Sequence, residues 1–245
     1  MEKVIVQRAA SLIFLFLAPA AFFPTAQNEE VFYAKKRREM VEQQLRARDI
    51  TDRRVLEVMG QIPRHLFIPP SLRGEAYEDF PLPIEEGQTI SQPYIVALMT
   101  QCLELKGNER VLEVGTGSGY QAAVLSQLAA LVYSIEISEP LAKKAADTLR
   151  GLGYNRVEVK CGDGYFGWPE RAPFDAVIVT CAASRIPDPL FQQLREGGRL
   201  IIPIGQEGDV QTLTLVRKIK DKLQIEHLSL VRFVPMTGED KKKKK

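Results

Sequence analysis

The ten residues Val111-Leu-Glu-Val-Gly-Thr-Gly-Ser-Gly-Tyr120 restrict what this chain can fold into more than any other stretch. Val111, Leu112 and Val114 form a short apolar run of the kind buried in a parallel sheet. Gly115, Gly117 and Gly119 follow directly. Residues 120–129 then carry apolar side chains at helical spacing, with Ala123, Val124, Leu128 and Leu131 on one side. The predicted unit is strand, glycine turn, helix. Alternate glycines keep such a turn tight and let backbone come close to a ligand. The helix start supplies N–H groups that lack intrahelical partners. Downstream, residues 131–136 read as the next strand, with Glu136 near its end, where a carboxylate can take the two hydroxyls of a ribose.

The glycine spacing separates this turn from the dinucleotide fingerprint G-x-G-x-x-G. Here the glycines alternate, and Glu113 stands two residues before the first of them. A nearby carboxylate serves a pyrophosphate poorly and a cationic, phosphate-free nucleoside well. The E-x-G-x-G-x-G pattern resembles motif I of the class I S-adenosylmethionine (SAM) methyltransferases. A glycine turn in an α/β domain with no ligand is the alternative that this stretch alone leaves open.

The composition, 45% hydrophobic and 26% charged over 245 residues, suits one sizeable core. The net charge of +2 includes the lysines at 241–245; without them the body is slightly acidic and carries no footprint for nucleic acid. Cys102, Cys161 and Cys181 show no C-x-x-C spacing and are expected to be buried thiols of a reduced compartment. His65 and His227 are the only histidines, so no His-based zinc site is expected.

Residues 1–30 look like a leader. Lys3 and Arg8 precede an apolar run at 9–23, too short for a membrane span, and Ala18-Pro-Ala20 resembles a signal-peptide cleavage region. An over-extended translation start near Met40 is the alternative. Residues 31–59 have helical spacing, with Lys35–Arg38 as a solvated helix face and Thr51-Asp52 capping a second helix. Ser91 is read as the N-cap of a helix with Pro93 in its first turn; no G-x-S-x-G surrounds it. Beyond the glycine turn, helices are predicted at 139–149 and 189–194, and strands at 157–160, 174–180 and 199–203, the last following a turn at Gly197-Gly198. Residues 212–219 and 224–234 suit an antiparallel hairpin turning at 220–222. The expected fold is therefore α/β: a doubly wound, mostly parallel sheet with a C-terminal antiparallel hairpin. Gly115–Gly119, Glu136, Asp163 and Thr180 all fall at strand ends, where ligands bind in such sheets.

Together, Gln88-Thr-Ile-Ser-Gln-Pro-Tyr94, the glycine stretch, Gly162-Asp-Gly164, residues 172–180, Glu196-Gly-Gly-Arg-Leu-Ile-Ile-Pro203 and Val231-Arg-Phe-Val-Pro-Met-Thr237 resemble the protein-L-isoaspartate O-methyltransferases over roughly residues 35–238. The Thr89-Ile-Ser-Gln-Pro93 segment is the most specific part. The resemblance implies methyl transfer from SAM to the α-carboxyl of isoaspartyl residues in damaged proteins and peptides, opening repair through a succinimide. It implies Ser91 as the active-site serine, Thr89, Ile90 and Thr237 at the substrate or cofactor mouth, and no metal. The cofactor set it implies is Glu113, Gly115, Thr116, Gly117, Gly119, Glu136 as the ribose acid, and Asp163 with Gly164 at the adenine. Residues 31–240 would form a single methyltransferase domain, with 31–105 a helical and substrate segment and 106–240 the SAM core, followed by the polylysine tail. A monomer without nucleic acid or stable membrane association is expected, in the cytoplasm, or in the periplasm or beyond if the leader acts as a signal. The leader and the tail both depart from the family pattern. A SAM-dependent methyltransferase acting on RNA or a small molecule, an NAD oxidoreductase and a non-catalytic SAM-binding module are the alternatives.

Overall fold

The computed structural model describes residues 26–242. Most of the predicted leader and the last three lysines lie outside the described residues. Helix α1 (Ala26–Met40) runs directly into a wider π-helical turn, Val41–Arg46. Helix α2 (Arg53–Gln61) starts where expected, because Asp52 Oδ1 accepts from Arg54 N–H at 2.9 Å and Val55 N–H at 3.4 Å. Its face of Val55, Leu56, Val58 and Met59 is buried. The 35–38 segment is not a uniformly solvated face. Arg37 is buried and donates to Gly60 O, Tyr77 Oη and Glu30, so its charge ties α1 to the chain beneath it.

A small ribbon follows, β1 (Leu82–Pro83) antiparallel to β2 (Thr89–Ile90), and then helix α3 (Pro93–Cys102). The core alternates β3 (Arg110–Val114), α4 (Tyr120–Ser126), β4 (Leu131–Glu136), α5 (Glu139–Gly151), β5 (Val157–Cys161), β6 (Phe174–Val179), α6 (Asp188–Gln193) and β7 (Leu194–Ile204). Strands β8 (Gln211–Ile219) and β9 (Lys222–Val231) complete a seven-stranded sheet of order β5-β4-β3-β6-β7-β8-β9. Strands β5 to β7 are parallel neighbours; β8 and β9 are antiparallel. The chain winds outward from β3 to β5 and returns on the other side of β3 as β6. The crevice between the C-terminal ends of β3 and β6 is thus the switch point of the sheet.

Both faces of the sheet are covered, which explains why its strands read as continuous apolar runs. Val111, Val132 and Ile178 join a core shared with the N-terminal helices. Leu112, Tyr133, Val177 and Val179 join a second core with Trp168, Leu190 and Met236. Some local expectations fail for identifiable reasons. Leu131 does not share the α4 face: the helix ends at Ser126, Ala130 and Leu131 N–H both turn to Glu109 O, and Leu131 opens β4, exposed. Gly197-Gly198 forms no turn before a strand but a bulge inside β7, between the pairs Phe174–Leu194 and Ala176–Arg199. The hairpin turn is the pair Lys220-Asp221, both left-handed (φ 52° and 55°), matching the strand twist. The last strand stops at Val231, opposite the first residue of β8, and beyond it Val234 O is taken by Ala182 N–H. The thiols are not all buried: Cys161 ends the edge strand β5 and is exposed, whereas Cys102 and Cys181 are half-buried.

Candidate cofactor and substrate cleft

A cleft of about 310 Å³ opens at the C-terminal ends of β3, β4 and β6. Its floor is the glycine turn. Gly115, Gly117 and Gly119 all have positive φ, at 98°, 51° and 86°. Gly115 has a second constraint: a Cβ there would collide with Thr180 Oγ1, which donates to Gly115 O at 2.6 Å. Gly115 and Thr116 N–H both reach Ile135 O on β4. The turn is therefore pinned on two sides by neighbouring strands.

Glu136 ends β4 inside the cleft wall and is buried. Its Oε2 accepts from Gly117 N–H at 2.8 Å and its Oε1 from Ser138 N–H at 3.0 Å. A carboxylate has about four acceptor sites, so both oxygens keep capacity for a diol. Thr116 and Gly164 also line the cleft. Gly164 lies so close over Val114 that a Cβ would strike Val114 Cγ1. Gly119 is not part of the lining; it packs the start of α4 against Leu149 of α5.

Two expected cofactor residues lie behind the wall. Glu113 is fully buried beneath the turn, where Ser134 Oγ donates to its Oε2; Ser134 Oγ in turn lies 2.6 Å from Thr116 Oγ1. Residues alternate along β3, so Val114 faces Gly164 while Glu113 points to the opposite face. Burial raises its carboxyl to about 8. Glu113 thus reaches the cleft only through Ser134 and Thr116. Asp163 also stands back: Oδ1 accepts from Tyr165 N–H and Oδ2 from Glu239 N–H, at 3.0 and 2.8 Å.

Thr89, Ile90 and Ser91 form the wall facing the glycine turn. Ser91 is not the cap of α3. That position belongs to Gln92, without a side-chain capping bond, and Pro93 in the first turn already removes one donor. Gln92 Nε2 instead holds Asp79, and Ser91 O accepts from Arg64 Nη2 at 2.8 Å. The remaining wall is a C-terminal strap, residues 234–237, ending in Thr237. Ala182 N–H donates to Val234 O and Met236 N–H to Ala182 O, and Asp240 takes both the N–H and the hydroxyl of Ser184. Sequence reading missed Cys181 and residues 234–236 as cleft residues, since nothing in their types signals a ligand. Tyr120, already inside the glycine stretch, could have been found there.

Glycines whose missing Cβ atoms admit backbone contact, a carboxylate beside them with free acceptor sites, and an open cleft of ligand-pocket size together fit SAM. Comparison with known proteins agrees. The profile of the protein-L-isoaspartate(D-aspartate) O-methyltransferase family matches residues 35–241. A protein-L-isoaspartate O-methyltransferase 2 of Shewanella sediminis is 53% identical over 234 residues, covering 93% of this chain and 95% of the relative. A protein-L-isoaspartate O-methyltransferase of Opitutus terrae is 55% identical over 230 residues, covering 94% and 96%. Among solved structures, a protein-L-isoaspartate O-methyltransferase superposes with a TM-score of 0.75 at 34% identity, covering 83% of this chain and 67% of that one. A Plasmodium falciparum structure described as a protein-L-isoaspartate O-methyltransferase in complex with S-adenosyl-L-homocysteine gives 0.70 at 27% identity, covering 82% and 98%. The chain belongs to the protein-L-isoaspartate(D-aspartate) O-methyltransferase family.

Proposed function

We propose that this chain methylates the α-carboxyl of L-isoaspartyl residues in damaged proteins and peptides, with SAM as methyl donor. The observation that carries this reading is one cleft whose opposite walls are the glycine turn with Glu136 and the segment Thr89–Ser91. The cofactor supplies a methyl group on a sulfonium. Gly115, Thr116 and Gly117 hold it by backbone contact, Glu136 takes its ribose hydroxyls, and Gly164 meets the adenine edge on a turn that Asp163 holds in shape. Glu113 contributes by fixing Thr116 through Ser134.

The substrate carboxylate is already ionised at neutral pH, so the site needs no general base. Its oxygen forms the new bond to the methyl carbon as the carbon–sulfur bond breaks and that electron pair stays on sulfur. Two opposite charges vanish and no proton moves, so a water-poor cleft favours the step. Catalysis is then mainly alignment: Ser91 donates to the carboxylate or the adjoining backbone, while Thr89, Ile90 and Thr237 shape the mouth.

An isoaspartyl peptide is expected to be methylated and its aspartyl twin almost not at all. In the twin the free carboxyl sits one methylene further from the backbone and leaves the in-line position. Comparable rates for both peptides, or methylation of RNA in place of either, would refute the reading. We further propose that the protein acts as a monomer in the cytoplasm, without nucleic acid. Three unpaired thiols support that compartment, and among the described residues no helix is long and apolar enough to cross a membrane. A mature N-terminus near Ala21 or Gln27 in a periplasmic fraction would overturn it.

A further inference from the structure

We propose that Arg64 is a positioning residue for methyl transfer: its buried guanidinium fixes the Ser91 carbonyl, and so the position from which Ser91 meets the substrate. The inference rests on the reading of Ser91 as the side chain that orients the carboxylate.

Arg64 is wholly buried at the seam between the N-terminal helical segment and the cofactor core. It opens a short 3-10 turn, Arg64–Phe67, held between the bends at Pro63 and at Pro69-Pro70. Its Nε donates to Ala76 O at 2.7 Å and its Nη2 to Ser91 O at 2.8 Å. Its Cζ lies 4.9 Å from the ring centroid of Tyr120, the first residue of α4 and itself part of the cleft lining. One planar group thus joins three pieces of chain: the segment before the ribbon, the junction carrying Ser91, and the helix that follows the glycine turn.

The electrostatic cost makes a packing role alone a poor explanation. The neighbours that favour the charge are the tyrosines 120 and 77, not a carboxylate, and burial lowers the guanidinium to about 10. It stays charged at neutral pH without an acidic partner. Filling such a site with an apolar side chain is often neutral or stabilising. A charged fork does supply two strong, rigidly spaced bonds to carbonyls. One of those carbonyls is that of Ser91, between β2 and the start of α3, where no helix-cap bond anchors the chain. In-line transfer tolerates little displacement: a shift of about 1 Å can cost about 10²-fold.

The test uses the full chain with an isoaspartyl peptide and compares Arg64→Lys, Arg64→Met, Ser91→Ala and the double variant Arg64→Lys/Ser91→Ala. Turnover per folded molecule, KM for each substrate and S-adenosylhomocysteine affinity are measured together with melting curves. Arg64→Lys keeps the charge but replaces the planar fork with a compact, rotatable ammonium, and guards against a methionine variant that does not fold. Expected is a loss in kcat of about tenfold for lysine and about a hundredfold for methionine, with cofactor affinity near wild type. The double variant should be no slower than Ser91→Ala alone, since both act at one point. A lowered melting temperature with wild-type kcat in Arg64→Lys, while Ser91→Ala is slow, overturns this inference alone; so does an additive double variant. Wild-type kcat in Ser91→Ala refutes the Ser91 reading itself and takes the inference with it.

Discussion

Replacing Glu136 by glutamine tests the cofactor site at its most loaded atom pair. In the native chain both carboxylate oxygens accept a backbone N–H, from Gly117 at 2.8 Å and Ser138 at 3.0 Å. Glutamine offers one acceptor oxygen and one NH₂, so whichever way the amide turns, one of those N–H groups faces a donor. The ribose hydroxyls lose the charge as well. A hydrogen bond to a charged group contributes about 1.5–3 kcal/mol, and each 1.4 kcal/mol is a factor of about ten in affinity. Binding of S-adenosylhomocysteine should therefore weaken by roughly tenfold to a hundredfold. The ligand-free protein should lose roughly 1–3 kcal/mol, because a buried N–H at the glycine turn loses its acceptor. Titration calorimetry measures the first effect and melting the second. A 2′-deoxy analogue separates local damage from ribose recognition: the ratio of wild-type to variant affinity should shrink for it. Unchanged affinity for the parent ligand would refute the assignment, and an equal ratio for both ligands would reduce Glu136 to a scaffold for the turn.

Gly115→Ala should lose about 1–3 kcal/mol from the backbone alone, given φ of 98°, and more from the collision with Thr180 Oγ1; urea titration showing wild-type stability would contradict this. For Glu113 the sign follows from its carboxyl being raised to about 8 from 4.5. Between those values the folded protein holds a proton that the unfolded chain has released. Its contribution to stability therefore falls as pH rises through that window, with a slope approaching about 1.4 kcal/mol per pH unit, and levels off above it. Glu113→Gln should flatten this part of the stability profile, and an unaltered slope in the variant would show that the carboxyl is not protonated in the fold. Asp52→Ala should lose about 0.5–2 kcal/mol by denaturant melting, since Asp52 caps α2 through two N–H groups, while leaving cofactor affinity unchanged.

The sequence made the cofactor half of the cleft legible because its constraints are local. Val111 to Tyr120 must form a strand, a positive-φ turn and a helix start, and Glu136 is placed by the next strand, whatever surrounds them. Glu113 and Asp163 show the limit of that logic. Their positions in the chain were clear, but alternation along β3 buries the first, and a short turn with a backbone partner at Glu239 occupies the second. Ser91 was found, yet its expected capping role was not met, because a proline at the first helical position leaves the choice between two adjacent residues to tertiary contacts. Arg37 reads as part of a solvated helix face, and nothing in the sequence marks Arg64. Only the packing of distant segments makes them interior, and no periodicity announces that. Of the strap, Val234 reads as the end of a strand and Thr237 is placed at the mouth by resemblance, while Pro235 and Met236 carry no side chain that signals a ligand.

That strap separates the integrity of the sheet from the integrity of the cleft. All seven strands of the main sheet are complete at Val231, so the residues beyond it add no strand but supply one wall of the cleft. The cleft is closed only when this later stretch lies across Ala182 and Ser184, through bonds that the sheet itself does not need. Cleavage after Val231 would open the cleft while every strand keeps its partner. Secondary-structure content is then a poor guide to activity, because the sheet and this cleft wall are separate pieces of chain.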